Sequence, residues 1–362
     1  MRKLTIVSGA RPNLVKVASI IQSIHKAVEY GCDLQYRFIH TGQHYDRQLY
    51  QSFLEELNIP FPDKNLNCIN GSHVQQIASI MTAFEDELTL HRPDGVLVVG
   101  DVNSTLACSV VARKVGVRLL HVEAGLRSFD MSMPEEVNRI ITDSIADYYF
   151  TTSETANQNL RNSGVKDDRI FFVGNVMIDT LLSNINRVRP SKEYENLHLS
   201  KKNYIVLTIH RPANVVNGLV LKDVVNEIVK NSNGLPIIMP IHPRTEKVFR
   251  EYGISSANLH IIPPLGYLEF IFLVKNSLAV ITDSGGITEE TTVLGVPCLT
   301  LRDNTERLET CTIGTNVLVG TNLSGIAALM QRLFDDKWKK GGIPPLWDGK
   351  TADRIVEIIR NL

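Results

Sequence analysis

The stretch LAVITDSGGITEETTVLG, residues 278–295, changes character at its centre. LAVIT is a continuous, partly β-branched apolar run, the pattern of a strand buried on both faces. ITEETTVLG reads as the first turns of a helix. Ser284, Gly285 and Gly286 stand at the junction. A strand that passes through so short a turn into a helix is half of a βα unit. The start of such a helix exposes backbone N–H groups and the positive end of its dipole. The glycines serve either a tight turn alone or a nest for an anion.

The same kind of strand recurs on both sides of this stretch. The first half of the chain contains KLTIVSG, QYRFIHTG, GVLVVGD, RLLHVEA, DYYFTTSE and RIFFVGN. The second contains NYIVLTIH, PIIMPIH, LHIIPPL, LAVITDS, PCLTLRD and NVLVG. Helix-length segments such as LVKVASIIQSIHKAV, VQQIASIMTAFEDEL, LKDVVNEIVKNS and TADRIVEIIRNL lie between or after them. Continuous apolar strands with helical crossovers predict parallel sheets covered on both faces. The polar stretch 187–203 has no clear period and separates the two sets, so it is expected to connect two doubly wound α/β domains. Expected boundaries are 1–180 and 181–349, with a last helix at about 350–362.

A length of 362 residues fits two such domains. With 38 basic and 39 acidic residues, the formal net charge is −1, and no global field recruits nucleic acid or an anionic membrane. No apolar run reaches the roughly 18 residues of a membrane span. The N-terminal MRKLTIVSG reads as a first strand rather than a signal peptide. Five widely spaced cysteines, without C-x-x-C, argue against a disulfide framework and a zinc site. A reducing cytoplasm is expected.

Ionisable groups gather where the strands end. Arg11 follows the first, His40 and His44 the second, Asp101 the third, and His121 and Glu123 the fourth. In the second half His210 and Arg211, His242 and Arg244, Ser284, and Arg302 and Asp303 hold the same relation to their strands. Ligands of open parallel sheets bind outside the carboxyl ends of the strands. The simplest arrangement turns the two edges toward each other across a cleft. Glu290 suits the hydroxyls of a sugar, and Arg307 suits a diphosphate through a forked contact. These groups suggest a nucleoside diphosphate sugar. His40 and His44 lack a third ligand nearby, so no metal is expected. The first strand leads into SGARPN rather than G-x-G-x-x-G, so no dinucleotide cofactor is expected either.

GARPNLVK, HTGQH, VVGDVNSTLA, HVEAGLRSFDMSMPEEVNR, VGNVMIDTL, HRPAN, IHPRT, ITDSGGITEE and LRDNTER occur in this order across nearly the whole chain. The set closely resembles the non-hydrolysing UDP-N-acetylglucosamine 2-epimerases. The resemblance implies two Rossmann-like domains in the glycosyltransferase-B arrangement, a UDP-sugar substrate, no cofactor, a last helix returning to the first domain, and a homodimer. It also implies roles. Asp101, Glu123, Glu135 and His210 match positions implicated in catalysis. Arg11 and Lys16 match contacts on the phosphate side, and His242, Ser284, Gly285, Gly286, Glu290 and Arg307 match UDP-binding positions. Phe270 matches an aromatic near uracil. Asn13 stands where the family pattern GTRPE has an acid, and Ala213 stands where HRxEN has one. MSMPEE replaces SPWPEE, and MPEE resembles a branch acting on UDP-2,3-diacetamido uronic acids.

Inversion at C2 of such a sugar requires proton transfer on both faces and a held leaving group. The resemblance implies elimination of UDP to a glycal and its re-addition. Competing readings are a glycosyltransferase of the same plan, a hydrolysing epimerase, and a non-catalytic nucleotide-sugar sensor. Glu136 is expected to cap the helix or pair with Arg139.

Overall fold

The computed structural model describes residues 1–42, 47–69, 71–211, 217–241 and 243–362; the side chains of 47–50, 243 and 244 are not described. His44, Ala213 and His242, and the side chain of Arg244, therefore lie outside the described residues. The chain divides into two compact lobes, Met1–Ser183 with Pro345–Leu362, and Asn184–Pro344.

The first lobe is built on seven parallel strands: β1 (Lys3–Ser8), β2 (Gln35–His40), β3 (Lys64–Asn65), β4 (Gly95–Val99), β5 (Arg118–Val122), β6 (Tyr148–Thr151) and β7 (Ile170–Phe172). Their order is β3-β2-β1-β4-β5-β6-β7. The second lobe carries six: β8 (Ile205–Thr208), β9 (Ile237–Pro240), β10 (Leu259–Ile262), β11 (Ala279–Thr282), β12 (Cys298–Thr300) and β13 (Asn316–Leu318). Their order is β10-β9-β8-β11-β12-β13, again parallel. All twelve expected runs form strands. β3 was not expected: two polar residues on the sheet edge carry no apolar pattern.

The strands lack alternation because both faces of each sheet are covered. In β8, Ile205 and Leu207 enter one apolar cluster, while Val206 and its neighbour Tyr204 enter another. In β11, Ile281 and Val280 divide in the same way. A fully buried aliphatic side chain of this kind contributes about 1.5–3 kcal/mol.

The stretch 187–203 is not a bare connection. It holds a short helix, Lys192–Asn196, and Tyr194 packs edge-on against Tyr204 and Phe272 of the second lobe. The last helix, Thr351–Asn361, packs against Arg11–Glu29 in the first lobe. Its buried Thr351, Ala352, Ile355, Val356 and Ile359 form one helical stripe. Asp179 accepts the Ala352 N–H at 2.7 Å, capping this helix, and Ser23 donates to Asp353 at 2.7 Å. Among the described residues no helix is long and apolar enough to cross a membrane.

Candidate functional site

In the first lobe β1 and β4 lie side by side although β2 and β3 intervene in the chain. The winding direction reverses between them, and such a switch point is where open α/β sheets hold ligands. The helix Arg11–Glu29 begins directly after β1. Asn13 accepts the Ala10 N–H at 3.2 Å and donates its amide to the Val99 carbonyl at 3.0 Å. A carboxylate could make only the first bond; the amide ties the helix start to the end of β4. Arg11 is half-buried, its guanidinium 5.7 Å from the centre of the Phe53 ring.

Lys16 and Glu123 meet at this edge. Lys16 Nζ lies 2.5 Å from Glu123 Oε2, and both side chains are buried. Glu123 follows β5 with φ +66°, a conformation that costs a non-glycine residue about 1–3 kcal/mol and persists where its surroundings enforce it. Its other oxygen, Oε1, is buried without a hydrogen-bond partner among the described residues. Gly100, also at φ +66°, closes over the pair; a Cβ there would stand 2.8 Å from Lys16 Nζ.

Asp101 is held by the helix Pro134–Ile145, whose interior face is polar: Glu136, Asn138, Arg139, Thr142 and Asp143. The Arg139 guanidinium donates to Asp101 and, through Nε and Nη2, to Glu136 Oε2 at 2.9 and 2.6 Å. Asn138 donates to the Asp101 carbonyl at 2.8 Å. Burial alone would raise the Glu136 pKa, but the N–H groups of Ser128 and Phe129 and the Arg139 guanidinium hold it below its usual value. Glu136 thus pairs with Arg139, as expected. Glu135 is half-buried on the same turn, and its side chain has no hydrogen bond or ion pair among the described residues.

Beneath them His121 bridges Asp143, 2.7 Å from Nδ1, and the Gly100 carbonyl, 2.9 Å from Nε2. A carbonyl only accepts, so Nε2 carries a hydrogen. Asp143 also takes the Gly125 N–H and Arg127 Nη1, at 3.0 and 2.6 Å. Burial opposes its charge, yet His121 and Arg127 keep its pKa below the ordinary value. His40 is buried, its Nδ1 accepting the Gly42 N–H at 3.1 Å, and burial drives its pKa down to about 4. That lone pair is already taken. Among the described residues no group of three or more His, Cys, Asp or Glu side chains is placed to hold a metal.

The second lobe repeats the switch point between β8 and β11. Asp283 follows β11 directly, fully buried, and accepts the main-chain N–H groups of His210 and Arg211 just past the end of β8. His210 Nδ1 lies 2.9 Å from the same carboxylate, while the His210 side chain is 55% exposed. Ser284 is the N-cap of the helix Gly285–Leu294, but its hydroxyl makes no capping bond. Gly285 lies close to two charged side chains: a Cβ there would lie 2.7 Å from Arg307 Nη1 and 2.8 Å from Glu306 Oε1, so a larger residue would displace them. Gly286 continues the first turn, half-buried.

Arg307 is buried among acids. Its Nε is 2.9 Å from Glu289 Oε1 and its Nη1 pairs with Glu306, which also takes Arg302 at 2.7 Å. Its guanidinium thus braces carboxylates behind the glycines. Glu290 is buried on the same helix; burial pushes its pKa up to about 8, with Glu289 adding to the rise and the Tyr267 hydroxyl opposing it. Phe270 is half-buried, on the helix Tyr267–Asn276, against the apolar cluster that includes Tyr204 and Val206.

The model of the family described as UDP-N-acetylglucosamine 2-epimerase matches residues 26–360. The chain belongs to this family. It is 40% identical over 369 residues to the UDP-N-acetylglucosamine 2-epimerase of Methanocaldococcus jannaschii, covering 99% of this chain and 98% of that protein. It is 39% identical over 372 residues to the UDP-2,3-diacetamido-2,3-dideoxy-D-glucuronate 2-epimerase of Pseudomonas aeruginosa, covering 100% of both. The crystal structure of the M. jannaschii UDP-GlcNAc 2-epimerase in complex with UDP-GlcNAc and UDP superposes with a TM-score of 0.90 at 40% identity, covering 99% of this chain and 100% of that one. The fold is the α/β, glycosyltransferase-B-like fold of these epimerases, with one parallel sheet per lobe.

Within this family member, sequence reasoning passed over Asp283, Asp143, Asn138 and the link from Arg139 to Asp101. Signals existed for two of these. Asp283 is a carboxylate at the end of an otherwise apolar strand. Glu136, Arg139 and Asp143 fall three and four residues apart, on one helical face.

The acids around Arg307 predict a pH response. Burial, with smaller help from Glu289 and Glu306, pushes the Glu309 pKa up to about 7. A carboxyl whose pKa is raised in the fold binds a proton there that the unfolded chain has released. Its stabilisation is complete below its unfolded pKa and is lost as pH rises through the folded value. Glu309 and Glu290 should therefore lower the stability of the second lobe, and with it the melting temperature, as pH rises from about 4.5 to about 7 for Glu309 and about 8 for Glu290, by up to about 1.4 kcal/mol per pH unit for each group. Glu309→Gln should flatten that slope in calorimetry. A melting temperature that rises with pH, or an unchanged slope in the variant, contradicts the assignment.

Proposed function

We propose that this chain inverts C2 of a UDP-2-acetamido sugar, either UDP-N-acetylglucosamine or its 2,3-diacetamido uronic acid counterpart, by elimination and re-addition of UDP. The observation that carries the reading is end-to-end likeness, at 40% and 39% identity, to two proteins named as 2-epimerases. Their names differ in the sugar and agree in the carbon that is inverted.

In this reading a base removes the C2 proton, the C1–O bond to UDP breaks, and the electron pair forms the C1–C2 double bond of a glycal. UDP then adds back at C1 and C2 takes a proton on the opposite face. Asp101, Glu123 and Glu135 are the proton-transfer candidates. Glu123 is the best prepared: Lys16 holds one oxygen, while the other has no partner among the described residues. Arg139 braces Asp101, so Asp101 is positioned as well as available. The helix start at Ser284–Gly286 suits the departing diphosphate, because N–H dipoles aimed at developing negative charge need no reorganisation, and His210 is a further proton-transfer candidate. Arg11, His242, Glu290 and Phe270 complete the UDP contacts in the family pattern, and Arg307 supports them from behind the glycines. The reading also takes a homodimer in the cytoplasm; all five cysteines are free thiols, which fits a reducing compartment.

The test supplies each UDP sugar separately and separates the products by chromatography. The C2 epimer with UDP still attached supports the reading. Accumulating free UDP with free sugar favours hydrolysis, UDP release only on adding an acceptor favours transfer, and binding without turnover favours a sensor. Sedimentation of the purified chain as a monomer would remove the dimer.

A further inference from the structure

We propose that Asp283 is a positioning residue for His210, holding the neutral imidazole as the Nδ1–H tautomer so that Nε2 exchanges a proton with the substrate. The assignment to the reaction rests on the epimerase reading; the assignment of the tautomer does not.

His210 and Asp283 lie just beyond the carboxyl ends of neighbouring strands, β8 and β11, in the second lobe. The Asp283 carboxylate accepts the His210 N–H at 3.1 and 3.0 Å and the Arg211 N–H at 2.8 Å. The ring comes back to the same group, Nδ1 to Oδ1 at 2.9 Å. A carboxylate only accepts, so Nδ1 carries hydrogen and the Nε2 lone pair is left available. His210 Nε2 has no partner among the described residues, and the side chain is 55% exposed while Asp283 is fully buried. One buried anion therefore anchors both the main chain and the ring of an exposed histidine. A carboxylate needed only to join strand ends would be satisfied by the two main-chain donors.

Asp283→Asn separates these roles. The amide retains an oxygen for main-chain N–H groups but presents an NH₂ that favours an unprotonated Nδ1, the exchange by which an amide imposes the wrong histidine tautomer. Two-bond ¹H–¹⁵N correlation spectra of ¹⁵N-histidine-labelled protein, above the pH at which the ring loses its charge, read the tautomer directly. Wild type should show His210 as Nδ1–H, and Asp283→Asn should show Nε2–H. Turnover should fall at least about 100-fold while UDP affinity stays within about threefold.

A wild-type Nε2–H tautomer, a variant that keeps Nδ1–H, or a variant whose turnover stays within about threefold of wild type overturns the proposal. If the variant does not fold, the wild-type spectrum decides the tautomer. A wild-type protein that inverts neither UDP sugar instead defeats the epimerase reading and removes the role in catalysis, and the spectrum still decides what Asp283 does to the ring.

Discussion

Glu123→Gln is expected to lower turnover by about 10³-fold, within the range for loss of a positioned general base, with UDP affinity unchanged within about threefold. Glu123 sits at the carboxyl end of β5 in a left-handed conformation that only its surroundings can hold. Its Oε2 is committed to Lys16, and its Oε1 is buried without a partner among the described residues. The amide keeps the shape and an acceptor for the ammonium, but it cannot take a proton. It also leaves Lys16 as a buried cation without its counter-charge; removing one partner of such a pair costs about 3–5 kcal/mol, and the retained acceptor puts the loss at the low end. Stability and chemistry can be told apart. The Lys16→Met, Glu123→Gln double variant removes both charges and should recover most of the melting temperature while turnover stays low. A single variant that retains turnover within about tenfold would exclude Glu123 as a proton-transfer group.

The second large effect falls on Arg139. Its guanidinium is buried and forked between Asp101 and Glu136, and Glu136 in turn receives the N–H groups of Ser128 and Phe129. Arg139→Met leaves two carboxylates without this cation, Glu136 fully buried and Asp101 half-buried. A loss of about 3–5 kcal/mol follows, or roughly 10 °C for a lobe of this size. Asp101 also loses the group that aims it, and a displacement of about 1 Å in a reacting group costs on the order of 100-fold in rate. Arg139→Lys should recover little of either, because a point charge cannot serve two carboxylates through a planar fork. Thermal melts and steady-state rates check both effects. A methionine variant with wild-type melting and wild-type turnover would show that the ion pair neither stabilises the lobe nor positions Asp101.

The legible part of this protein was its strands, and the reason is physical. Sheets covered on both faces need continuous apolar runs, and these stand out against helical segments whatever the tertiary context. β3 was invisible because Lys64 and Asn65 pair along an edge without burying an apolar face. The segment around Tyr194 read as a connection because a five-residue helix that packs through one aromatic ring leaves no period. At the candidate site the acids at strand ends were legible because position along a parallel strand already implies position at its carboxyl edge. Their partners were not. That Lys16 meets Glu123, or that Arg139 reaches Asp101, depends on which helix crosses which strand end. Arg307 is an example: its sequence context suits a diphosphate, and its ion pairs with Glu289 and Glu306 beside Gly285 leave no mark in the sequence.

Exchange at one carbon tests the central claim most directly. The protein is incubated in D₂O with UDP-N-acetylglucosamine, and separately with UDP-2,3-diacetamido-2,3-dideoxyglucuronic acid, and C2 is followed by NMR. The account predicts that one of the two sugars acquires deuterium at C2 and appears as both epimers, still joined to UDP. Product that keeps its C2 proton while free UDP accumulates, or two sugars that bind and exchange nothing, would contradict it.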